Sequence, residues 1–428
     1  MNIEKILSGL ENGSYDEKLL ALYGEERLCE QRKRWAGAAR QFLALYGDAE
    51  NAGMFSVPGR SEISGNHTDH NRGRVLAASI DLDIIAIAAP ADGTIIRVKS
   101  EGFDEDIVDI SDLDPEKAEK YHSSALIAGV CAGLKNRGYK YGGFNAYTTN
   151  DVLKGSGMSS SAAFECMIGA IENHFYNDGN VSAPEIAQIG QYAENVFFGK
   201  PCGLMDQTAC AVGDFVYIDF ADPKAAVIEP LHFDLSGHGY TLCITATGGN
   251  HADLNEDYAS VPAEMKAVAA ALGQEALRGI TFDRLIAAIP ELREKTGDRA
   301  ILRAIHFIGE NERVKAQAEA LKKGDLDFFL DGVLASGRSS WMKLQNVYTT
   351  KNVAEQGLSV ALAVSEQVLS GSERKAAWRV HGGGFAGTIQ AFVPDEEVAN
   401  YKKVLDSVFG EDACRPLKIR PQGAVRVI

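Results

Sequence analysis

Apolar residues recur along this chain at two spacings, and the spacing changes from segment to segment. Near the N-terminus Leu19, Leu20, Leu22 and Tyr23, and then Trp35, Ala38, Phe42 and Leu43, recur at helical spacing, which predicts helices within residues 1–50. From Val75 to Ala89 the chain is rich in β-branched and small apolar side chains and stops at Pro90-Ala91-Asp92-Gly93. That is the pattern of a buried strand, or strand pair, closed by a turn. A strand over 95–98, a helix over 123–134 and a strand over 143–149 follow, then helices over 162–175 and 183–198. Past residue 206 the pattern predicts strands at 215–220 and 240–245 and a mostly helical stretch from 255 to 370, broken near 324–327. A Gly-rich turn at 380–387 then leads into a strand at 388–393 and a helix at 394–407. Strands and helices mixed in this way predict an α+β fold in two halves, 1–225 and 226–428.

Composition narrows the partners. With 428 residues, 45% hydrophobic and 24% charged, the chain can bury a large core. A net charge of −16 argues against nucleic acid or an anionic membrane as partner. It leaves room for an anionic nucleotide held by one local loop. The seven cysteines, at 29, 131, 166, 202, 210, 243 and 414, form no Cys-x-x-Cys pair and suggest packing rather than a disulfide framework. No apolar signal core opens the chain, and no run approaches 18 apolar residues, so a soluble cytoplasmic protein is expected.

Four polar segments carry candidate chemistry. Gly155, Ser156, Gly157, Met158, Ser159, Ser160 and Ser161 precede an apolar helical run. Small residues let backbone N–H groups approach an anion, and a helix starting there adds the positive end of its dipole. A turn that only caps a helix has the same composition, and the loop lacks the Gly-Lys-Ser/Thr ending of a Walker A motif. In the second segment, 58–73, Arg60, Asn66, His67, Asp69, His70, Asn71 and Arg72 crowd between apolar flanks, a set suited either to binding hydroxyls or to a solvated hairpin. A metal on His67, Asp69 and His70 is disfavoured for want of a third neutral ligand. The third, Pro201-Cys202-Gly203-Leu204-Met205-Asp206, puts a carboxylate just after a turn, as a base or as an N-cap. Glu194, near the end of the preceding helix, opposes the helix dipole, which a nearby cation would explain. In the fourth, His381 to Gly387, glycines permit close backbone approach.

In their order along the chain the segments resemble those of the GHMP small-molecule kinases, above all the galactokinases among them. Gly59 to Gly73 is similar to Gly-Arg-Val-Asn-Leu-Ile-Gly-Glu-His-Thr-Asp-Tyr-Asn-Gly-Gly, and Gly155 to Ala162 to Gly-Ser-Gly-Leu-Ser-Ser-Ser-Ala. Pro201 to Gln207 resembles Pro-Cys-Gly-Ile-Met-Asp-Gln, and Gly382 to Gly387 resembles Gly-Gly-Gly-Phe-Gly-Gly. His251 and Tyr258 match a His and Tyr seven residues apart. The resemblance spans residues 55–393 and implies a two-domain GHMP kinase fold, mixed sheets with flanking helices, and an active site between the domains. It implies phosphorylation of the C1 hydroxyl of galactose by ATP with Mg²⁺, in a monomer or weak homo-oligomer. By position, Asp206 would be the base and Arg60 its partner. Residues 155–161 would cradle the phosphates, and Ser161 and Glu194 would hold the magnesium. Asn66, His67, Thr68, Asp69, Gly203 and Tyr258 would meet the sugar. The chain departs from the pattern at Asn66 (Glu in the family), His70 (Tyr) and Leu153 (Pro). Asn66 can donate as well as accept, and His70 and Arg72 can add positive charge, so a C6 carboxylate sugar such as galacturonate is an alternative substrate. A non-catalytic sugar and ATP sensor is the other alternative.

Overall fold

In the computed structural model, residues 1–152, 158–222, 225–249 and 254–428 are described. Two sheets organise them. The larger runs in the order β12-β1-β2-β5-β3-β4, with β6 also pairing β2 and β7 pairing β6. Its strands are β1 (Gly53–Ser64), β2 (Arg74–Pro90), β3 (Ile95–Ser100), β4 (Glu105–Asp109), β5 (Phe144–Asn150), β6 (Phe215–Asp219), β7 (Val227–Leu231) and β12 (Val425–Arg426). Only β3 and β5 run parallel. The smaller sheet, β11-β8-β10-β9, is wholly antiparallel and comprises β8 (Tyr240–Ala246), β9 (Ala377–Val380), β10 (Thr388–Pro394) and β11 (Cys414–Leu417).

The apolar stretch at 75–89 is one strand, β2, seventeen residues long. It is buried along nearly its whole length because both faces are covered. Side chains alternate between faces along a strand. Ile85, Ile87 and Ala89 join Trp35 and Phe42 of the helical segment Asp16–Tyr46 on one side. Ile84, Ala86 and Ala88 face the core shared with Cys131, Ala163 and Met167 on the other. That second core runs on without a break into Leu242, Phe329 and Phe392 of the C-terminal half. The C-terminal half also returns β7 and β12 to the large sheet.

Three buried polar side chains, Ser79, Asp81 and Asp83, interrupt the apolar run of β2. Asp83 is fully buried and accepts from Tyr23 Oη at 2.6 Å, Arg34 Nη1 at 2.7 Å and Arg420 Nη1 at 3.1 Å. Burial pushes its carboxyl up, but the two guanidiniums and the Ser56 and Tyr23 hydroxyls hold it below the ordinary value. The helical segment Asp16–Tyr46 is thus docked by charge as well as by apolar contact. The seven cysteines are free thiols, five of them buried. No helix among the described residues is long and apolar enough to cross a membrane.

Two boundaries differ from the sequence pattern. Residues 58–64, read from their polarity as part of a loop, lie in the fully buried strand β1. The helix at 183–198 ends at Tyr192 and continues as a π-turn over Ala193–Phe198.

Candidate active site

Arg60 and Asp206 lie 146 residues apart in sequence and meet in a two-pronged contact. Arg60 is carried by β1 just after a register shift between Pro58 and Arg60. Gly59 makes that shift fit: a Cβ there would stand 3.1 Å from the Met158 carbonyl, which Arg60 N–H bonds at 3.2 Å. Arg60 Nε donates to Asp206 Oδ1 at 2.7 Å and Nη2 to Oδ2 at 2.6 Å, the fork geometry that guanidinium and carboxylate match best. Asp206 sits in the first turn of helix Met205–Val212, whose N-cap position is Leu204. It is therefore not a cap, and its carboxylate is free to face Arg60. Burial raises the Asp206 carboxyl, but Arg60, Ser159 and Lys200 outweigh that and hold it below the usual range. Asp206 is ionised at neutral pH.

Ser159 joins this pair. Its hydroxyl contacts Asp206 Oδ2 and accepts from Arg60 Nη2 at 3.1 Å. The residue is left-handed (φ 57°), a conformation that costs a non-glycine residue energy and clusters at functional sites. Helix Ser160–Asn177 starts immediately after it with no acidic residue of its own in the first turn. Met158 is buried. Of the expected phosphate cradle, Gly155, Ser156 and Gly157 lie outside the described residues, as does His251. Beside Ser160 and Ser161 opens a cavity of about 370 Å³, walled by Phe103, Phe164 and Phe198, with Glu101, Asp106 and Asn150 among its polar groups.

Glu194 lies in the π-turn and is only 2% exposed. Its Oε2 accepts from Gln207 Nε2 at 2.9 Å, and its Oε1 is met by Lys200 Nζ at 3.2 Å. Gln207 Nε2 also serves Glu165 Oε2 at 3.0 Å. Lys200, Gln207 and Glu165 carried no signal of this role. Only the fold brings them to Glu194, although Glu165 stands four residues after Ser161 and so on the same helix face.

At the other end of the site, the turn after β1 is stapled to the Gly-rich turn before β10. Three successive carbonyls take the load. Asn66 Nδ2 donates to Gly382 O at 2.5 Å, His67 Nε2 to Gly383 O at 2.8 Å, and Tyr258 Oη to Gly384 O at 3.0 Å. The Tyr258 ring also packs edge-on to Phe385, centroids 5.5 Å apart. Asn66 is wholly buried: its second amide hydrogen goes to Glu62 Oε1 at 2.9 Å, and its Oδ1 accepts from Asn346 Nδ2 at 2.6 Å. Thr68 is wholly buried too, its hydroxyl turned to the Gly65 and Arg74 carbonyls. Asp69 faces Gly203, where an added Cβ would stand 2.5 Å from Asp69 Oδ2.

The features that motivated a uronate substrate change character here. The Asn66 amide is committed within the protein, beside the Glu62 carboxylate. His70 is pushed down to about 4 by burial and is neutral at ordinary pH. Arg72 is paired with Glu275 at 2.6 Å.

Residues 125–214 match the description "GHMP kinases N terminal domain", and residues 40–90 match "Galactokinase galactose-binding signature". A galactokinase of Streptomyces coelicolor is 30% identical over 391 residues, covering 90% of this chain and 96% of its own length. The chain belongs to the galactokinases of the GHMP kinase family. A galactokinase of Actinobacillus pleuropneumoniae is 33% identical over 351 residues, covering 82% of this chain and 87% of its own. Among solved structures, a Lactococcus lactis galactokinase complexed with galactose superposes with a TM-score of 0.74 at 24% identity, covering 90% of this chain and 98% of that one. A mevalonate kinase superposes at 0.59 with 14% identity, covering 86% and 98%. The galactokinase fold is thus present over nearly the whole chain. The galactose-binding signature falls on β1, the stapled turn and β2, the elements that carry Arg60 and Asp69.

Proposed function

We propose that this chain transfers the γ-phosphoryl group of ATP to the C1 hydroxyl of galactose, in a cleft between its two halves, 1–225 and 226–428. The observation that carries this reading is the Arg60–Asp206 pair, bridged by Ser159 at the start of helix Ser160–Asn177. Phosphoryl transfer asks the protein mainly for positioning and charge stabilisation, and this arrangement offers both within one small volume.

The Asp206 carboxylate would accept the C1–OH proton as the oxygen closes on phosphorus, while the bond to the bridging oxygen of ADP breaks and ADP leaves with the electron pair. Arg60 keeps Asp206 ionised and in place, and its guanidinium offsets the charge that grows on the transferring group. Asp69, His67, Gly203 and Tyr258 would line the sugar. Asn66 and Thr68 would support that wall from behind, since neither presents surface. The helix start at Ser159–Ser161 would face the phosphates, and the aromatic cavity beside it suits the base of the nucleotide. Ser161 and Glu194 offer a hydroxyl and a carboxylate, hard oxygens of the kind Mg²⁺ takes while keeping water and phosphate as its other ligands. The buried Glu165 Oε1, without a partner among the described residues, adds a further oxygen in that region, and the donor set fits the ion. When bound, Mg²⁺ would neutralise phosphate charge.

The test is ADP release with galactose or galacturonate as acceptor, and identification of the product by phosphorus NMR. Galactose 1-phosphate is expected, with galacturonate far slower. Binding of both ligands without turnover would instead make the chain a sensor. Asp206→Asn is expected to lower kcat by about 10²–10⁴-fold while nucleotide affinity stays within a few-fold. Near-normal turnover by that variant would remove Asp206 from the role of base.

A further inference from the structure

Lys200 stands on the short connector between the π-turn and helix Met205–Val212, flanked by Gly199 and Pro201. Its backbone N–H bonds the Glu194 carbonyl at 3.1 Å, and its ammonium reaches back to Glu194 Oε1 at 3.2 Å. The two partners differ in freedom. Glu194 is buried, and its other oxygen is fixed by Gln207, itself held by Glu165. The Lys200 side chain keeps 59% of its surface exposed. Its four-carbon stem can swing at small cost, because a half-exposed ion pair is weakly held.

A divalent cation that takes the outer oxygen of Glu194 competes with this ammonium, since two cations on one oxygen repel each other. The released cation has a short way to go. Its charge already acts on Asp206, where it helps to hold the carboxyl down. The phosphate chain would lie between Ser159–Ser161 and Asp206. We propose that Lys200 is an exchangeable cation of the transfer site: it holds Glu194 in place, yields that oxygen to the divalent ion, and turns its ammonium onto the transferring phosphate. This rests on the kinase reading above.

The experiment compares the wild type with Lys200→Met and Lys200→Arg. Mn²⁺ binding in the presence of a non-hydrolysable ATP analogue is followed by the Mn²⁺ EPR signal, and steady-state rates are measured with galactose. Losing its competitor, K200M should bind Mn²⁺ about two- to fivefold tighter, the scale of a half-exposed ion pair. Its kcat should fall about 10–100-fold, the scale of one charge-assisted hydrogen bond, with KM for galactose little changed. K200R should recover most of that kcat. An unchanged Mn²⁺ affinity in K200M overturns the exchange, and an unchanged kcat overturns the phosphate contact. If the wild type neither binds Mn²⁺ with the analogue nor phosphorylates galactose, the kinase reading fails first and takes this proposal with it.

Discussion

Asp206 is held as an anion because Arg60 approaches it along two parallel N–H···O contacts while Ser159 bridges the two. The same economy governs the contact at Gly203, which leaves just enough room for the Asp69 carboxylate. A Cβ at 203 would come within 2.5 Å of Asp69 Oδ2, closer than side chains tolerate, and the Asp69 side chain rather than the backbone would give way. Gly203→Ala is therefore expected to fold normally but to bind sugar poorly. A displaced hydrogen-bonding group of this kind costs on the order of 10–100-fold in kcat/KM. Steady-state kinetics with galactose, beside a melting curve, checks both halves of the expectation. Arg60 and Asp69 were legible in the sequence because they sit in a short motif of unusual polarity, and Asp206 because it follows a turn marked by Pro201 and Gly203. Asn66 and Thr68 stand in the same motif, yet their side chains turn inward. Polarity marks a segment as special without saying which face of the backbone each side chain takes.

At the scale of elements, the decisive piece is how the helical segment Asp16–Tyr46 grips the large sheet beneath the site. Its spacing of apolar residues was plain, and so was the apolar run of β2. The charge between them was not. Asp83 sits in the middle of that run, with Arg34 on one side and Arg420 of the C-terminal segment on the other. Arg34 and Arg27 also reach Asp151, at 2.8 and 3.5 Å, where β5 leads into the segment before Ser159. The ionic docking therefore extends to the lip of the expected phosphate site. Asp83→Ala would leave the buried Arg420 guanidinium without its carboxylate while Arg34 keeps only Asp151, a loss that typically costs about 3–5 kcal/mol. Urea denaturation should show a loss of that size. A loss below about 1 kcal/mol, the range of surface pairs, would mean that the network contributes little.

Over the whole molecule, buried carboxyls of opposite behaviour bound the pH range of stability. Burial pushes Glu172 up from 4.5 to about 8, with only the Gly142 N–H and Cys131 thiol to offset it. It binds its proton more tightly when folded, so its contribution is complete below 4.5 and is lost as pH rises toward about 8. Glu310 is also buried, but Arg313, His306 and Arg379 overcome the burial and bring it down to about 2. Its contribution is complete above 4.5 and is lost as pH falls toward about 2. The wild type is expected to lose thermal stability on the alkaline side, and Glu172→Gln to flatten that loss, because Gln has no proton to give up. Melting temperatures measured across this pH range decide it. An identical alkaline slope in both proteins would show that Glu172 is not the group responsible.

The sequence by itself determined the alternation of elements and the four polar segments, those with Arg60 and Asp206 among them, because these are properties of neighbours: spacing, turn chemistry and local composition. Tertiary structure alone decided what each polar group meets. It joined Arg60 to Asp206 across 146 residues, set Lys200 on Glu194, and spent three glycine carbonyls on Asn66, His67 and Tyr258. It also buried the Asn66 side chain among Glu62, Gly382 and Asn346. Contacts of that kind depend on which faces pack together and on what is left exposed once the core has closed. A pattern of neighbours carries no such information.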